Sequence, residues 1–330
     1  MISLIATVLN EGDNIRSLFD SIKRGTRLPD EIVIVDGGSA DDTLAIMQSY
    51  ADELPLRLFV EPGCNISQGR NRAIAEARGD IIAVTDAGVV LSEAWLEAIT
   101  APLLREPALN VVGGFFQADP HSAFEAALGA ATLPLADEID SATFLPSSRS
   151  IAFRKSAAEA IGFYPEWLDF CEDLVFDIRL RQYGGAFAFA PAALVYFRPR
   201  SGPRQFFRQY YLYARGDGKA NLWLKRHLIR YLIYLALAPF IIVAGWAINP
   251  AIWLLFPLGG ALYLAQAYRR LPAVIGRAPD SSPPVWLYCV LAIPWIRFIG
   301  DLAKMLGYPA GWRWRRAQRP PDWRRLPEVD

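Results

Sequence analysis

The segment EIVIVDGG at 31–38 gives the clearest indication of the fold of the first part of the chain. Its apolar run is continuous rather than alternating, which is typical of a strand buried on both faces of a parallel sheet. An acid and two glycines follow at once, so the strand ends in a polar turn. Two runs of the same kind, ISLIATVL at 2–9 and DIIAVT at 80–85, lie before and after it.

Helical patterns separate these strands. Apolar residues recur at helical spacing over 13–23, and further helices are predicted over 67–78 and 93–104, with another strand at 56–60. Strands that alternate with helices favour right-handed crossovers and a parallel sheet. The sequence therefore predicts an α/β domain with a doubly wound, mostly parallel sheet.

Polar clusters follow three of the predicted strands. Asn10 and Glu11 come after the first strand, Asp36 ends the second, and Asp86 follows the strand at 80–85. In open parallel sheets, ligands bind beyond the carboxyl ends of the strands, so topology brings these side chains to one edge. Asp86 could hold Mg²⁺ or Mn²⁺ against a diphosphate, since hard cations take oxygen ligands. Arg70, on the preceding helix, could contact phosphate.

A second acidic cluster opens a helix predicted from Asp173 to Tyr183. Asp169 and Glu172 fit a capping box, which by itself could account for Glu172. Asp173 then lies in the first turn, where the helix dipole favours an ionised carboxylate. An ionised carboxylate is what a general base for an acceptor hydroxyl requires. Asp177 and Arg181 are interpreted as a surface ion pair.

Five segments are informative when taken in order: TVLNEGDNI at 7–15, IVDGGSADDT at 34–43, GRNRAIAEARGDIIAVTDAG at 69–88, FLPSSRSIAFRK at 144–155 and CEDLVFDIRLRQYG at 171–184. Together they resemble a family 2 glycosyltransferase of GT-A fold. The resemblance implies a nucleotide diphosphate sugar donor and transfer with inversion. It further implies that Asp36 contacts the base, that Asp86 contacts the ribose and the metal, and that Asp173 is the catalytic base. Asn10 and Glu11 would line the nucleotide pocket.

The metal motif departs from the family pattern. Many relatives carry a second Asp two positions after the first, but this chain reads Asp86-Ala87-Gly88. A divalent cation would then be held by Asp86 with the diphosphate and water, or by a further residue. His121 is a distant candidate, although a lone histidine is more often structural.

A basic aromatic segment follows the first domain. Gln205 and Arg208 resemble the Gln-x-x-Arg segment of processive membrane synthases, which lies near the acceptor or the donor diphosphate, and Glu172 is expected in the same vicinity. The alternative is an amphipathic helix on the lipid headgroups, so residues 201–227 are interpreted as an interfacial linker.

The C-terminal part is predicted to be a membrane domain over 228–330. Residues 228–248 and 251–268 are long enough to span, with a kink at Pro239 in the first. The third apolar run is short, so an interfacial or re-entrant helix over about 285–303 and a basic tail are expected. This two-span arrangement keeps the arginines on the side of the first domain.

The N-terminus lacks the features of a signal peptide, so residues 1–200 are expected to form a cytoplasmic glycosyltransferase domain at the inner (plasma) membrane. Equal numbers of basic and acidic residues, 34 of each, give no indication of nucleic-acid binding. The three cysteines lack metal-ligand spacing and are interpreted as free thiols.

Two other functions remain open at this point. One is a catalytically decayed membrane-tethered protein that binds a sugar nucleotide or lipid, which the missing second metal carboxylate would favour. The other is a sugar-1-phosphate nucleotidyltransferase, which would need a basic Gly-rich loop after the first strand, where this chain has Asn10 and Glu11. The lead hypothesis is an inverting transferase with a lipid or glycan acceptor.

Overall fold

The computed structural model describes residues 1–327 and divides into two compact units. We call them the sheet unit, formed by Met1–Gln117, Leu135–Phe197 and the chain from Pro320, and the helical unit, formed by Ala118–Pro134 and Arg198–Arg319. The helical segment 118–134, which was predicted to belong to the first domain over 1–200, therefore belongs to the helical unit.

Eight strands form one mixed sheet in the order β3-β2-β1-β4-β7-β6-β8-β5. The strands are β1 Ile2–Val8, β2 Glu31–Asp36, β3 Leu56–Val60, β4 Ile81–Val84, β5 Val89–Leu91, β6 Val111–Ala118, β7 Ile151–Arg154 and β8 Ala188–Phe197.

Twelve α-helices are present among the described residues. They are α1 Asn14–Lys23, α2 Thr43–Gln48, α3 Ile66–Glu76, α4 Trp95–Arg105, α5 Ala123–Thr132, α6 Lys155–Ala160, α7 Glu172–Gly184, α8 Pro203–Ala220, α9 Leu224–Leu232, α10 Ala238–Ala247, α11 Leu255–Ile275 and α12 Pro283–Gln318.

The first half of the sheet has the predicted parallel pairing. β1 pairs in parallel with β2 and β4, and β2 pairs in parallel with β3. The second half does not, because β7 runs antiparallel to both β4 and β6, and β5 runs antiparallel to β8. The short strand β5 begins three positions after Asp86 and was not predicted, since three residues carry too little periodicity. The sheet is therefore mixed, with its parallel half first in the chain.

Both faces of the sheet are buried, as the continuous apolar strands predicted. On one face, α1 and α4 contribute Leu18, Trp95 and Ile99 to the core. On the other, α3 and α7 contribute Ile74 and Phe176. The sheet edge with the strand ends is thus fixed between two layers of helices.

In the helical unit, α8 packs along the second half of α12. Glycines allow this close approach: a Cβ on Gly311 would lie 1.9 Å from the carbonyl oxygen of Arg215, and one on Gly307 would lie 2.2 Å from that of Tyr211. A second cluster packs α5 against α11 and α12 around Ile293. Small residues at helix interfaces are typical of membrane helices.

Three helical segments are long and apolar enough to span a membrane: Leu224–Ala247, Pro250–Ile275 and Pro283–Gln318. The first two correspond to the predicted spans, with longer bounds. A π-helical stretch, Ile233–Leu237, precedes Pro239, where the ring removes a backbone donor. The third segment is one helix of 36 residues and contains both the expected helix over 285–303 and most of the basic tail.

Candidate functional site in the sheet unit

The strand register brings the three predicted polar clusters to one edge. Val8, the last residue of β1, lies opposite Asp36, and Ile5 lies opposite Val84, the last residue of β4. The residues that follow these strands therefore emerge side by side. This is the crevice expected at the carboxyl ends of a parallel sheet.

Asp36 closes the turn that follows β2. Its side chain is 2% exposed, and Oδ2 accepts hydrogen bonds from the backbone N–H groups of Gly38, at 3.0 Å, and Ser39, at 2.8 Å. Asn10, with φ of +53°, joins this turn to the end of β1, because its N–H donates to the Ser39 hydroxyl. The two loops are thereby held as one polar surface.

Glu11 lies beside the position where the second metal carboxylate is missing. A Cβ built on Gly88 would lie 3.4 Å from Oε2 of Glu11. The backbone N–H of Glu11 donates to the Thr43 hydroxyl at 3.0 Å, which fixes the loop that carries it. The Glu11 carboxylate, in the loop after β1, thus approaches position 88 in the loop after β4. The family pattern has its second metal-binding Asp at that position.

Arg70 is the buried centre of the site. Its guanidinium, 3% exposed, donates to Oε1 of Glu172 at 2.7 Å and to Oδ1 of Asp86 at 2.9 Å. Burial lowers the pKa of Arg70, but Glu172 and Asp86 outweigh that effect and raise it overall. Arg70 therefore remains charged and ties α3 to the β4 loop and to α7. The sequence identified Arg70 as a phosphate contact; its nearest partners are these two carboxylates.

Two side chains at this site were not predicted from the sequence. Arg149 Nε lies 3.2 Å from Oδ2 of Asp86, and its guanidinium stacks 4.4 Å above the Phe197 ring. Tyr164 packs its ring 5.3 Å from the Arg70 guanidinium, and its hydroxyl lies 3.0 Å from that of Ser148. Arg149 lies within the segment FLPSSRSIAFRK, but nothing in its spacing marked it as a partner of Asp86.

Asp173 lies next to Glu172 in the first turn of α7. Its Oδ1 accepts the N–H of Leu174 at 2.9 Å, and among the described residues it forms no ion pair. Burial raises the pKa of Asp173, against the attraction of Arg70. Burial also raises the pKa of Glu172, to about 7, and the neighbouring Asp173 adds to this effect while Arg70 opposes it.

The predicted capping box before α7 is wrong. The residue that precedes the helix is Cys171, in a left-handed conformation with φ of +64°, and it makes no side-chain cap. Glu172 is instead the first residue of α7, and its carboxylate accepts a hydrogen bond from Arg70. Glu172 is thus part of the site, and its role in the structure is to hold Arg70.

The predicted surface pair of Asp177 and Arg181 is also wrong. Asp177 is completely buried, and neither carboxylate oxygen has a hydrogen-bond partner among the described residues. Burial raises its pKa well above the ordinary value. Arg181 instead donates to the carbonyl oxygens of Thr143 and Phe144. The helical spacing was right, but this face of α7 points into the core.

Three further candidates belong to the helical unit. Gln205 and Arg208 lie on α8 with exposed side chains, and Gln205 accepts a hydrogen bond from Ser201 at 2.9 Å. His121 Nε2 lies 3.2 Å from Asp119 and is half exposed. Within this unit His121 has the surroundings of a surface histidine rather than a metal ligand.

A metal ion fits this site only when a bound substrate supplies further oxygen atoms. Among residues 1–327, no group of three or more His, Cys, Asp or Glu side chains is placed to hold a metal. Asp86 and Glu11 nevertheless lie close to the same glycine, and Mg²⁺ sites commonly use one or two carboxylates with substrate phosphates. The two arginines on Asp86 supply positive charge at the same place. The arrangement suits an anionic diphosphate.

Comparison with known proteins shows what the chain is similar to. Residues 3–160 match the family model described as glycosyl transferase family 2. The chain is 28% identical over 287 residues to the succinoglycan biosynthesis protein ExoA of Rhizobium meliloti (strain 1021), which covers 81% of this chain and 86% of that protein. It is 26% identical over 207 residues to the O-antigen chain rhamnosyltransferase WbaN of Salmonella anatum, covering 58% and 64%.

Among solved structures, the mannosyltransferase PcManGT from Pyrobaculum calidifontis in complex with GDP-Man and Mn²⁺ is similar, with a TM-score of 0.55. The identity is 18%, and the likeness covers 96% of this chain and 87% of that chain. At this identity the likeness establishes the fold, a GT-A arrangement, as the sequence predicted.

Proposed function

Because the chain is a glycosyltransferase whose residues 3–160 form a family 2 domain, we propose that it transfers a sugar from a nucleotide diphosphate sugar with inversion, with Asp173 as the general base. The observation that carries this proposal is the continuous set of contacts from Asp86 through Arg70 to Glu172, beside which Asp173 lies without an ion pair. Asp173 is the carboxylate in this set left available for an acceptor hydroxyl.

The local chemistry supports this role for Asp173. A general base works best when its pKa approaches the working pH, and burial moves the pKa of Asp173 upward. Glu172 is less suited, because its carboxylate is committed to Arg70 at 2.7 Å. Asp173 would take the proton of the acceptor hydroxyl as the new glycosidic bond forms and the nucleotide diphosphate leaves.

The donor would lie across the joined loops of β1 and β2. Asp36 would contact the base, Asp86 would contact the ribose and the metal, and Asn10 and Glu11 would line the nucleotide pocket. Arg70 and Arg149 pair with Asp86. A divalent cation, Mg²⁺ or Mn²⁺, would be held by Asp86 and Glu11 together with the diphosphate, and would offset charge on the leaving group. The Mn²⁺ in the similar mannosyltransferase supports this assignment.

The acceptor is proposed to be a lipid-linked intermediate or a growing glycan at the cytoplasmic face of the inner membrane. Three helices long and apolar enough to span a membrane support this location. Relatives named for succinoglycan and O-antigen chain synthesis support a cell-envelope or exported glycan. Gln205 and Arg208, exposed on α8, remain candidates for acceptor or diphosphate contact.

The decisive variant is Asp173→Asn, which keeps the shape of the side chain and removes its charge. The purified full chain is screened with UDP-, GDP- and dTDP-sugars, with and without Mn²⁺, by thermal stabilisation. The variant should bind the stabilising donor as wild type does, and transfer should fall by about 10²–10⁴-fold, the usual contribution of a general base.

Glu159→Gln, an exposed glutamate on α6, is the matched control and should retain full activity. Wild-type turnover by Asp173→Asn would remove Asp173 as the base. The absence of stabilisation by any donor would contradict the nucleotide pocket itself.

A further inference from the structure

The helical unit contains a buried charged cluster that the proposed chemistry does not use. Its centre is Asp301 on α12, which is 7% exposed. Oδ1 of Asp301 accepts from Arg230 Nε at 2.7 Å, and Oδ2 accepts from the hydroxyls of Tyr234 at 3.1 Å and Tyr263 at 2.6 Å. Three side chains thus satisfy one carboxylate between segments apolar enough to span a membrane.

Two further cations lie beside this carboxylate without pairing to it. Arg297, one turn before Asp301, has its guanidinium 4.8 Å from the Tyr263 ring centre, and its buried Nε has no hydrogen-bond partner among the described residues. Lys304 lies with its ammonium 4.9 Å from the Tyr210 ring centre and is close enough to interact electrostatically with Arg230 and Asp301.

The positive charge of the cluster exceeds its negative charge. Asp217 on α8 is the other carboxylate near Lys304. Its Oδ2 also lies 3.2 Å from Nε2 of His227. Nδ1 of His227 lies 3.3 Å from Nη1 of Arg230, which can only donate, so Nδ1 accepts there and Nε2 donates to Asp217. Arg230, Arg297 and Lys304 therefore face Asp301 and Asp217, three cations against two anions.

An unpaired buried cation is costly where water is scarce, and ionisable residues within membrane helices usually mark a functional site. A purely structural network would need only Arg230, Asp301 and the two tyrosines. Arg297 and Lys304 add positive charge that their own surroundings do not neutralise. Basic pockets between membrane helices bind the headgroups of anionic lipids.

We propose that Arg297 and Lys304 form a binding site for the phosphate group of a lipid, with Arg230 held behind them by Asp301. Guanidinium and ammonium groups both donate to phosphate oxygens, and the flanking apolar helices suit the attached chain. The phosphate has two possible sources, a membrane phospholipid or a lipid-linked acceptor, and only the second identification rests on the proposed function.

The test uses the full chain in a neutral detergent, with no sugar nucleotide present. Binding of polyprenyl monophosphate, phosphatidylglycerol and the uncharged polyprenol is measured by thermal stabilisation and by tryptophan fluorescence. Polyprenyl monophosphate, phosphatidylglycerol or both should stabilise the chain, and polyprenol should not. Whichever phosphate-bearing lipid binds more tightly identifies the source.

Lys304→Met removes the charge and breaks no ion pair, so the fold should be retained. It should weaken binding of the phosphorylated lipid by about tenfold, the loss of one charged hydrogen bond, and Arg297→Met should do the same. Lys304→Arg should keep the affinity. Lys225→Met, at an exposed lysine in the first turn of α9, is the matched control and should bind as wild type does.

Equal binding of polyprenol and its phosphate, or unchanged affinity in Lys304→Met, would overturn the site. Neither result bears on sugar transfer, because donor binding and the Asp173→Asn variant are measured separately.

Discussion

The guanidinium of Arg70 donates to the carboxylate of Glu172 at 2.7 Å, although 102 residues separate them in the sequence. This contact ties the middle of α3 to the first turn of α7. The same guanidinium reaches Asp86 at 2.9 Å. One buried cation therefore sets the distance between the proposed donor side and the proposed base side of the site.

Arg70→Met should destabilise the chain by about 3–5 kcal/mol, because it leaves Glu172 buried without its partner. Donor-dependent stabilisation should also weaken, since Asp86 then keeps only its contact with Arg149. The midpoint of thermal unfolding with and without donor measures both effects. Arg72→Met is the control on the same helix: Arg72 is half exposed and pairs with Glu76, so less than about 1 kcal/mol should be lost. Equal losses in the two variants would contradict the central role of Arg70.

Transfer should fall on the acid side of the pH profile. The proposed base is active when ionised, and its pKa is raised above the ordinary value of about 3.9, so activity is lost as pH falls through the raised value. The Arg70 guanidinium opposes this rise in the pKa of Asp173, but it also pairs with Glu172. In Glu172→Gln that charge is no longer shared with Glu172, so its attraction for Asp173 should strengthen and the acid limb should move to lower pH. An unmoved limb in a folded variant would show that another group titrates.

Asp177→Asn should stabilise the chain at high pH. The folded-state pKa of Asp177 is far above its unfolded value of about 3.9, so the folded chain keeps a proton that the unfolded chain loses. Stability therefore falls as pH rises above about 4 in wild type, and the variant lacks this loss. We expect a gain of roughly 1–3 kcal/mol at pH 8 that shrinks towards pH 4. Asp52→Asn, at an exposed site, should show no such trend.

Gly311→Ala should separate α8 from α12. The new methyl group would lie 1.9 Å from the carbonyl oxygen of Arg215, so the backbones must move apart, at a cost of about 1–3 kcal/mol or more. The same change at Gly259, where no atom lies within 4 Å, should be neutral or stabilise α11 by about 0.5–1 kcal/mol. Thermal unfolding of both variants in detergent gives the comparison. A stable Gly311→Ala would mean that the two helices do not need this approach.

The strands of the parallel half were predictable because their signal is local. The runs ending at Val8, Val35 and Val84 are almost continuously apolar, and this pattern is typical of a strand buried on both faces. The antiparallel half was harder, since strand direction there depends on which neighbour each strand meets. The short strand Val89–Leu91 owes its existence to pairing with β8 rather than to its own residues.

Errors at the site came from side chains whose surroundings are tertiary. Asp177 has the spacing of a surface residue beside Arg181, yet the packing of α7 against the sheet buries it. Glu172 has the spacing of a capping residue, yet it is the first residue of α7 and its carboxylate pairs with Arg70. Arg149 had no local signal at all, because its partner Asp86 lies 63 positions earlier.

By itself, the sequence determined the type of fold, the three strand ends where polar residues gather and the presence of long apolar helices. Periodicity and composition encode these features residue by residue. The tertiary structure alone decided which charges meet: Arg70 between Glu172 and Asp86, Glu11 beside Gly88, and Arg297 and Lys304 beside Asp301. Contacts between distant residues depend on how helices pack against their neighbours, and no local pattern records that packing.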